Sequence, residues 1–226
     1  KAGQADAVLA SMDDESTFGP ELHRLGFGEA VAAGLLTDYK VLILTVDEGA
    51  MARTFQQELV HNSELDLPDV ARIVGCWNAL AKRMGRRAGV DAAAFGGDDA
   101  PMRTAVAFAA NIKTSKRFAD TFEEIAASYQ EALRLSGVEE GEGEVPDAAA
   151  NRSLSAHVRH VDGTMNMLAR GELMDWLKTP GSYGADEARI LSNAKCLSEG
   201  VDVPALDAVM FLNPRKSVVD VVQSVG

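Results

Sequence analysis

The sequence lacks several features that would each define a class of protein. No Gly-x-x-x-x-Gly-Lys-Ser/Thr phosphate-binding loop occurs in its 226 residues, so we expect no ATP hydrolysis by this chain alone. Its only two cysteines, Cys76 and Cys196, have neither disulfide nor metal-ligand spacing, which predicts a reducing, cytoplasmic setting and no metal site. No apolar run approaches the roughly 18 residues of a membrane span, so we expect no membrane contact.

Basic residues are also scarce. The chain has 22 Lys and Arg against 34 Asp and Glu, which gives a formal net charge of −12. A free-standing nucleic-acid-binding domain is usually basic, so autonomous DNA binding is disfavoured, while local or shared binding stays open. Hydrophobic residues make up 46% and charged residues 25% of the sequence, a composition that suits one large α/β domain with its own core.

Short apolar runs alternate with helical patterns along the chain. Strands are predicted at 40–46, 105–111, 157–161, 189–193 and 207–213. No hairpin turn separates them, which indicates a parallel sheet covered by helices on both faces. A long helix is predicted from near Ser115 to Leu135. We also predict a helical insertion at about 49–104 and a flexible acidic loop at about 137–147.

The first predicted strand is followed by Asp47 and Glu48, in the order that a Walker B strand uses to hold Mg²⁺. That site requires a phosphate loop on a neighbouring strand, and the sequence has none. We therefore interpret 40–46 as a buried strand that is followed by an acidic helix start, where carboxylates suit the helix dipole.

Two segments near the end of the sequence resemble a known family. Ala194–Pro204 reads Ala-Lys-Cys-Leu-Ser-Glu-Gly-Val-Asp-Val-Pro and resembles motif V of superfamily 2 helicases and translocases, in the branch of type I and type ISP restriction enzymes. Gln223-Ser-Val-Gly226 resembles the opening of motif VI, whose finger arginines would follow Gly226. Phe18-Gly19, His23-Arg24 and Glu29–Leu35 resemble the segment after motif III in the same branch. We therefore assign 1–38 to a segment that follows a first motor domain, and 39–226 to the second RecA-like domain.

The resemblance implies a fold and a division of labour. The fold would be the three-layer, P-loop NTPase type of RecA-like parallel sheet, sandwiched by helices. In this family ATP lies between two RecA-like domains, and the first supplies the phosphate loop and the Mg²⁺-holding acid. This chain would then be the C-terminal motor domain of an ATP-dependent DNA helicase or translocase, with no catalytic residue of its own. ATP and Mg²⁺ are expected in the full-length protein and not on this part alone. The implied partners are DNA, rather than RNA, and the first RecA-like domain.

The resemblance also assigns roles to residues of this sequence. The nucleotide would face Gly200, Asp202, Gln223 and Gly226, with Asp202 accepting from a ribose hydroxyl. The nucleic-acid track would include Thr114, Ser115, Lys116, Gly163, Thr164, Ser192, Asn193 and Ala194. Judged from the residues alone, Ser115 is either a helix N-cap or a phosphate contact. Gly163 likewise marks either an ordinary turn or a close approach of the backbone to phosphate.

Two other functions compete with the motor domain. A degenerate RecA-like module that binds protein without nucleotide turnover would also lack a phosphate loop. A small-molecule enzyme of doubly wound type would need a Gly-x-Gly-x-x-Gly loop or a nucleophile with its base, and neither is visible in the sequence.

Overall fold

The chain forms two units in a computed structural model, one over 1–41 and the other over 42–226. The structure describes residues 14–36, 38, 40–43, 66–83, 100–135, 153–178, 186–194, 197 and 206–214. The first unit contains two short helices, α1 (Glu15–Phe18) and α2 (Phe27–Ala32). Asp14 caps α1, because its carboxylate accepts a hydrogen bond from the Ser16 amide at 3.0 Å.

The second unit contains a four-stranded, all-parallel sheet with the strand order β2-β3-β1-β4. In chain order its elements are α3 (Leu67–Leu80), β1 (Thr104–Phe108), α4 (Ile112–Leu135), β2 (Ser155–Val161), α5 (Met167–Lys178), β3 (Glu187–Asn193) and β4 (Ala208–Phe211). The predicted parallel α/β sheet is confirmed, with shifted bounds for four of the five predicted strands. The architecture is RecA-like.

The strand predicted at 40–46 is wrong over the part that the structure describes. Residues 40–43 form no strand, and Val41 and Ile43 are 77% and 83% exposed. A strand needs a neighbouring strand to pair with its backbone, and residues 40–43 pair with none in the described part of the chain. The rest of that segment, with Asp47 and Glu48, lies outside the described residues.

Helices cover both faces of the sheet. Alternate residues of β1 point to opposite faces, and both sets are buried. Ala105 and Ala107 pack in the cluster that contains α3 and α4, whereas Val106 and Phe108 pack in the cluster that contains Leu177 of α5. A strand that is buried on both faces reads as a continuous apolar run, which explains why β1 was predictable.

Helix α3 lies inside the predicted insertion 49–104 and is an integral part of the core. Its residues Val70, Ile73, Val74, Trp77 and Leu80 are each at most 1% exposed. The Trp77 indole N–H donates to the Leu154 carbonyl at 3.0 Å, and its ring meets Tyr129 edge-on at 5.7 Å. Residues 49–65 and 84–99 of the predicted insertion, and the predicted loop 137–147, lie outside the described residues.

Candidate nucleic-acid interface

The carboxyl ends of the parallel strands meet at one edge of the sheet, where α/β proteins place their binding loops. Three segments at this edge carry all of the predicted nucleic-acid residues. They are the first turn of α4 after β1, the turn after β2 and the end of β3. The structure therefore brings together Thr114, Ser115, Lys116, Gly163, Thr164, Ser192, Asn193 and Ala194. The predicted nucleotide residues Gly200, Asp202, Gln223 and Gly226 lie outside the described residues.

Helix α4 begins earlier than the sequence suggested, and this changes the role of Ser115. Asn111 is the residue that caps the helix, because its side-chain oxygen accepts from the Thr114 amide at 2.8 Å. The Ser115 amide already donates to the Asn111 carbonyl at 3.1 Å, as in a regular helix. The N-cap interpretation of Ser115 is therefore wrong.

The Ser115 hydroxyl points into the protein. Its oxygen lies 2.7 Å from His160 Nδ1 on β2 and 2.7 Å from Ser192 Oγ on β3. Ser115 and Ser192 are both 0% exposed. The two hydroxyl groups therefore join α4 to the neighbouring strands from within, and the predicted contact of these residues with nucleic acid stays a prediction.

The turn after β2 is built on the Asp162 carboxylate. Its Oδ1 accepts from the Thr164 amide at 2.9 Å and from the Thr164 hydroxyl at 2.5 Å. Its Oδ2 lies 3.0 Å from His160 Nε2 and 3.5 Å from the Lys116 ammonium nitrogen. The hydrogen bonds from Thr164 and His160 hold the pKa of Asp162 well below its usual range, although burial opposes them. A fixed negative charge thus holds Gly163 and Thr164 at the surface.

Asn193 fixes the end of β3. Its side-chain amide donates to the Ala107 carbonyl at 3.3 Å, and its side-chain oxygen accepts from the Leu197 amide at 3.4 Å. Asn193 is 0% exposed and Ala194 is 9% exposed. The side chain therefore ties the start of the Ala194–Pro204 segment to β1 instead of facing solvent.

Helix α3 adds a carboxylate and a cation to the same edge. Asp69 Oδ1 accepts from Arg72 at 2.5 Å, and the other carboxylate oxygen contacts the guanidinium of Arg117 on α4. Burial raises the pKa of Asp69, and the charge of Arg117 opposes that rise. These three residues line a small pocket together with Thr114 and with Leu212, which follows β4.

The groups that reach solvent at this edge suit a phosphate backbone. Lys113 is exposed, and the Lys116 side chain is 55% exposed. The Thr164 side chain is exposed near them, and Asn166 caps the next helix by accepting from the Ala169 amide at 2.8 Å. The Thr164 hydroxyl already donates to Asp162, whereas ammonium groups and the amides at helix starts are donors that bind phosphate oxygens in proteins. The arrangement can therefore hold a phosphodiester chain without reading its bases.

Sequence reasoning missed the residues that organise this edge. His160 and Asp162 stand two positions apart in His-Val-Asp-Gly-Thr, and Asn111 directly precedes a helix. An Asp-Gly-Thr turn and an Asn before a helical pattern are recognisable local signals. The partner of His160 was not recognisable, because Ser115 lies 45 positions away.

The described part of the chain also bears on metal binding and on membrane insertion. Its residues contain no group of three or more His, Cys, Asp or Glu that could hold a metal ion. None of its helices is long and apolar enough to cross a bilayer.

Comparison with known proteins places these features in a family. Residues 139–226 match the family described as helicase conserved C-terminal domain. A solved structure, the ATP-dependent Type ISP restriction-modification enzyme LlaBIII bound to DNA, is 42% identical to this chain and superposes with a TM-score of 0.73. The match covers 96% of this chain and 12% of that enzyme, so this chain spans a small part of the enzyme's length. No curated protein matched.

Proposed function

Because this chain belongs to the superfamily 2 helicase C-terminal domains, in the branch of the type ISP restriction-modification helicases, we propose that it is the second motor domain of an ATP-dependent DNA translocase. One observation carries the proposal. The chain aligns over 96% of its length, at 42% identity, with an ATP-dependent enzyme that was solved bound to DNA. The polar edge of the sheet, with its solvent-facing lysines and helix starts, supports the assignment of a DNA track to this side.

The DNA contact would be local, because the chain as a whole is acidic. Lys113 and Lys116 supply positive charge within one helical turn. The Asp162 carboxylate, 3.5 Å from the Lys116 ammonium nitrogen, orients the Lys116 side chain. Such contacts bind the phosphate backbone of any sequence. Their affinity falls steeply with salt concentration, because binding releases counterions from the DNA and added salt makes that release less favourable.

Lys116→Ala is therefore expected to weaken the affinity for duplex DNA several-fold. The loss should be the same for duplexes of unrelated sequence. The slope of log affinity against log salt should fall by about 1, as expected for the loss of one phosphate contact. Lys178→Ala is the matched control, since Lys178 is exposed at the other end of α5, away from the carboxyl edge. Fluorescence anisotropy over a salt series measures both. Equal effects of the two substitutions would contradict the proposed track.

The nucleotide half of the site would come from Gly200, Asp202, Gln223 and Gly226. A preceding RecA-like domain would supply the phosphate loop and the Mg²⁺-holding acid that this sequence lacks. The two domains would close on each other when ATP binds between them and reopen after its hydrolysis and product release, and that cycle would move the pair along DNA. In the native protein Asp202 would accept a hydrogen bond from the ribose.

The deciding experiment is an ATPase assay of the native protein with and without DNA. We expect hydrolysis that depends on DNA, and a loss of about tenfold in Asp202→Ala because a hydrogen bond to the nucleotide is removed. Asp120→Ala, at an exposed position of α4, is the control for a lost surface carboxylate. The isolated 226-residue chain should hydrolyse no ATP. If the native protein hydrolyses no ATP with any DNA or RNA, the chain acts instead as a protein-interaction module with a RecA-like fold.

A further inference from the structure

A continuous row of buried hydrogen bonds crosses the carboxyl edge from β3 to the turn after β2. We call it the serine–histidine relay, and it consists of Ser192, Ser115, His160 and Asp162. We propose that this relay is the positioning element of the DNA track, and that His160 is the positioning residue at its centre. This inference rests on the proposed function.

The relay determines which atom carries each proton. The low pKa of Asp162 makes its carboxylate an acceptor, so His160 Nε2 must carry the hydrogen that lies between them. In a neutral imidazole Nδ1 is then an acceptor, and the Ser115 hydroxyl donates to it. The Ser115 oxygen is left to accept from the Ser192 hydroxyl. Each bond fixes the direction of the next, so the relay behaves as one unit.

The His160 ring is held from two sides, by Asp162 in the turn after β2 and by Ser115 on α4, and Ser115 in turn contacts Ser192 on β3. The charged group nearest to the Asp162 carboxylate from another element is Lys116, at 3.5 Å. The Oδ2 atom of Asp162 therefore faces both His160 Nε2 and the Lys116 ammonium group, and its hydrogen bond with His160 sets the direction of the relay.

The relay connects the buried side of the edge to the groups that reach solvent. Asp162 binds His160 inside the protein and, through its two oxygens, also holds Thr164 and Lys116 at the surface. At the other end, Ser192 is followed by Asn193, which fixes Leu197 in the segment that resembles motif V. A displacement at the end of β3 would therefore reach the surface groups through hydrogen bonds alone.

A serine, a histidine and an aspartate in a row also suggest a hydrolase, but burial argues against that function here. Ser115 is 0% exposed and the His160 side chain is 8% exposed. A nucleophile must reach a substrate carbonyl, and this hydroxyl is enclosed by α4, β2 and β3. The buried row is therefore suited to holding elements together and not to attacking a substrate.

The tautomer of His160 tests the relay directly and independently of DNA. In the 226-residue chain with ¹⁵N-labelled histidine, long-range ¹H–¹⁵N correlation spectra at neutral pH should show His160 in the Nε2–H form. The His160 signals are assigned by their loss in His160→Asn. A ring that carries its proton on Nδ1 would overturn the proposed relay, whatever the protein binds.

The functional test compares two histidines of the same strand. His160→Asn in the native protein should weaken duplex DNA binding about tenfold, because the track loses its buried support. His157→Asn is the matched control, since His157 is half-buried and pairs with Glu123 away from the relay. We expect it to bind within about twofold of the parent protein, as surface substitutions usually do.

A double-mutant cycle separates positioning from direct contact. If the two serines act through one relay, Ser115→Ala combined with Ser192→Ala should weaken binding little more than the stronger single substitution. Fully additive losses would mean independent roles and would overturn the inference. Circular dichroism establishes that each variant is folded. If His160→Asn does not fold, the loss of duplex DNA binding is measured with Ser192→Ala instead.

The outcomes distinguish this inference from the proposed function. If the parent protein binds DNA and folded His160→Asn binds equally well, the positioning role is overturned and the motor function stands. If the parent protein binds no DNA, the proposed function fails and the positioning role fails with it. The inference is supported only when the tautomer, the loss in His160→Asn and the non-additivity of the serines agree.

Discussion

Glu187→Ala should lower the free energy of unfolding of this chain by about 3 kcal/mol, because it leaves a buried guanidinium without its carboxylate. The side chains of Arg189 and Glu187 are only 7% and 6% exposed, and Arg189 Nε donates to Glu187 Oε1 at 2.8 Å. Arg189 also donates to the Trp176 carbonyl at 2.5 Å and lies over the Trp176 ring, 5.4 Å from its centroid. Because these contacts remain in Glu187→Ala, we expect the Arg189 guanidinium to stay buried without a counterion.

Urea unfolding followed by circular dichroism measures this loss, and the chain offers a matched control. Glu131 makes the same kind of pair with Arg134 at 2.6 Å, but both side chains are more than half exposed. Water replaces a lost partner at the surface, so Glu131→Ala should change stability little. Replacing both buried partners, as in Glu187→Leu with Arg189→Met, should recover most of the loss. Similar costs for Glu187→Ala and Glu131→Ala would contradict the burial argument.

Trp77→Ala is expected to destabilise the chain by about 4 kcal/mol. Trp77 is 0% exposed on α3 and packs in the cluster with Phe122 of α4 and Ile190 of β3. Truncation to alanine leaves a cavity that the surrounding helices and strands cannot fill without moving. It also removes the edge-on contact with Tyr129 and the hydrogen bond to Leu154, which precedes β2.

Trp77→Phe separates packing from hydrogen bonding at this position. The Leu154 carbonyl also accepts from the Gln130 side chain at 2.8 Å, so it keeps a partner when the indole is removed. The phenyl ring retains most of the buried volume, and we therefore expect a cost of about 1 kcal/mol. Chemical denaturation read by far-ultraviolet circular dichroism avoids the change in tryptophan fluorescence. A loss in Trp77→Ala no greater than in Trp77→Phe would show that α3 is not part of the cooperative core.

The parallel sheet was predictable because its two central strands, β1 and β3, are buried on both faces. All five residues of β1 are apolar or β-branched, and an uninterrupted run of this kind marks an interior strand. The start of β3 was less predictable, because it contains Glu187 and Arg189. Charged residues normally mark a surface, and these two are buried only because they pair with each other. The identity of either residue alone does not reveal that it has a buried partner.

Two other features depended on partners that lie far away in the sequence. The run at 40–46 has an apolar character similar to that of β1, but its described residues 40–43 pair with no neighbouring strand in the part of the chain that the structure describes. Ser115 has an ordinary helix-start sequence around it, whereas its role is set by His160 and Ser192, 45 and 77 positions away. The topology of a parallel sheet predicts that the candidate site lies at the carboxyl edge. It does not predict that the hydroxyl groups of Ser115 and Ser192 point into the protein.

The central place of β3 in the sheet has a consequence for how the chain acquires its structure. Thr104 of β1 pairs with Arg189 of β3, which is 189 − 104 = 85 positions later, and β2 also pairs with β3. At a ribosomal rate of roughly ten residues per second, β1 and β2 would wait several seconds for the strand that joins them. Until then their apolar faces are open to association with other chains, so we expect nascent polypeptides of this domain to be prone to aggregation before β3 is synthesised.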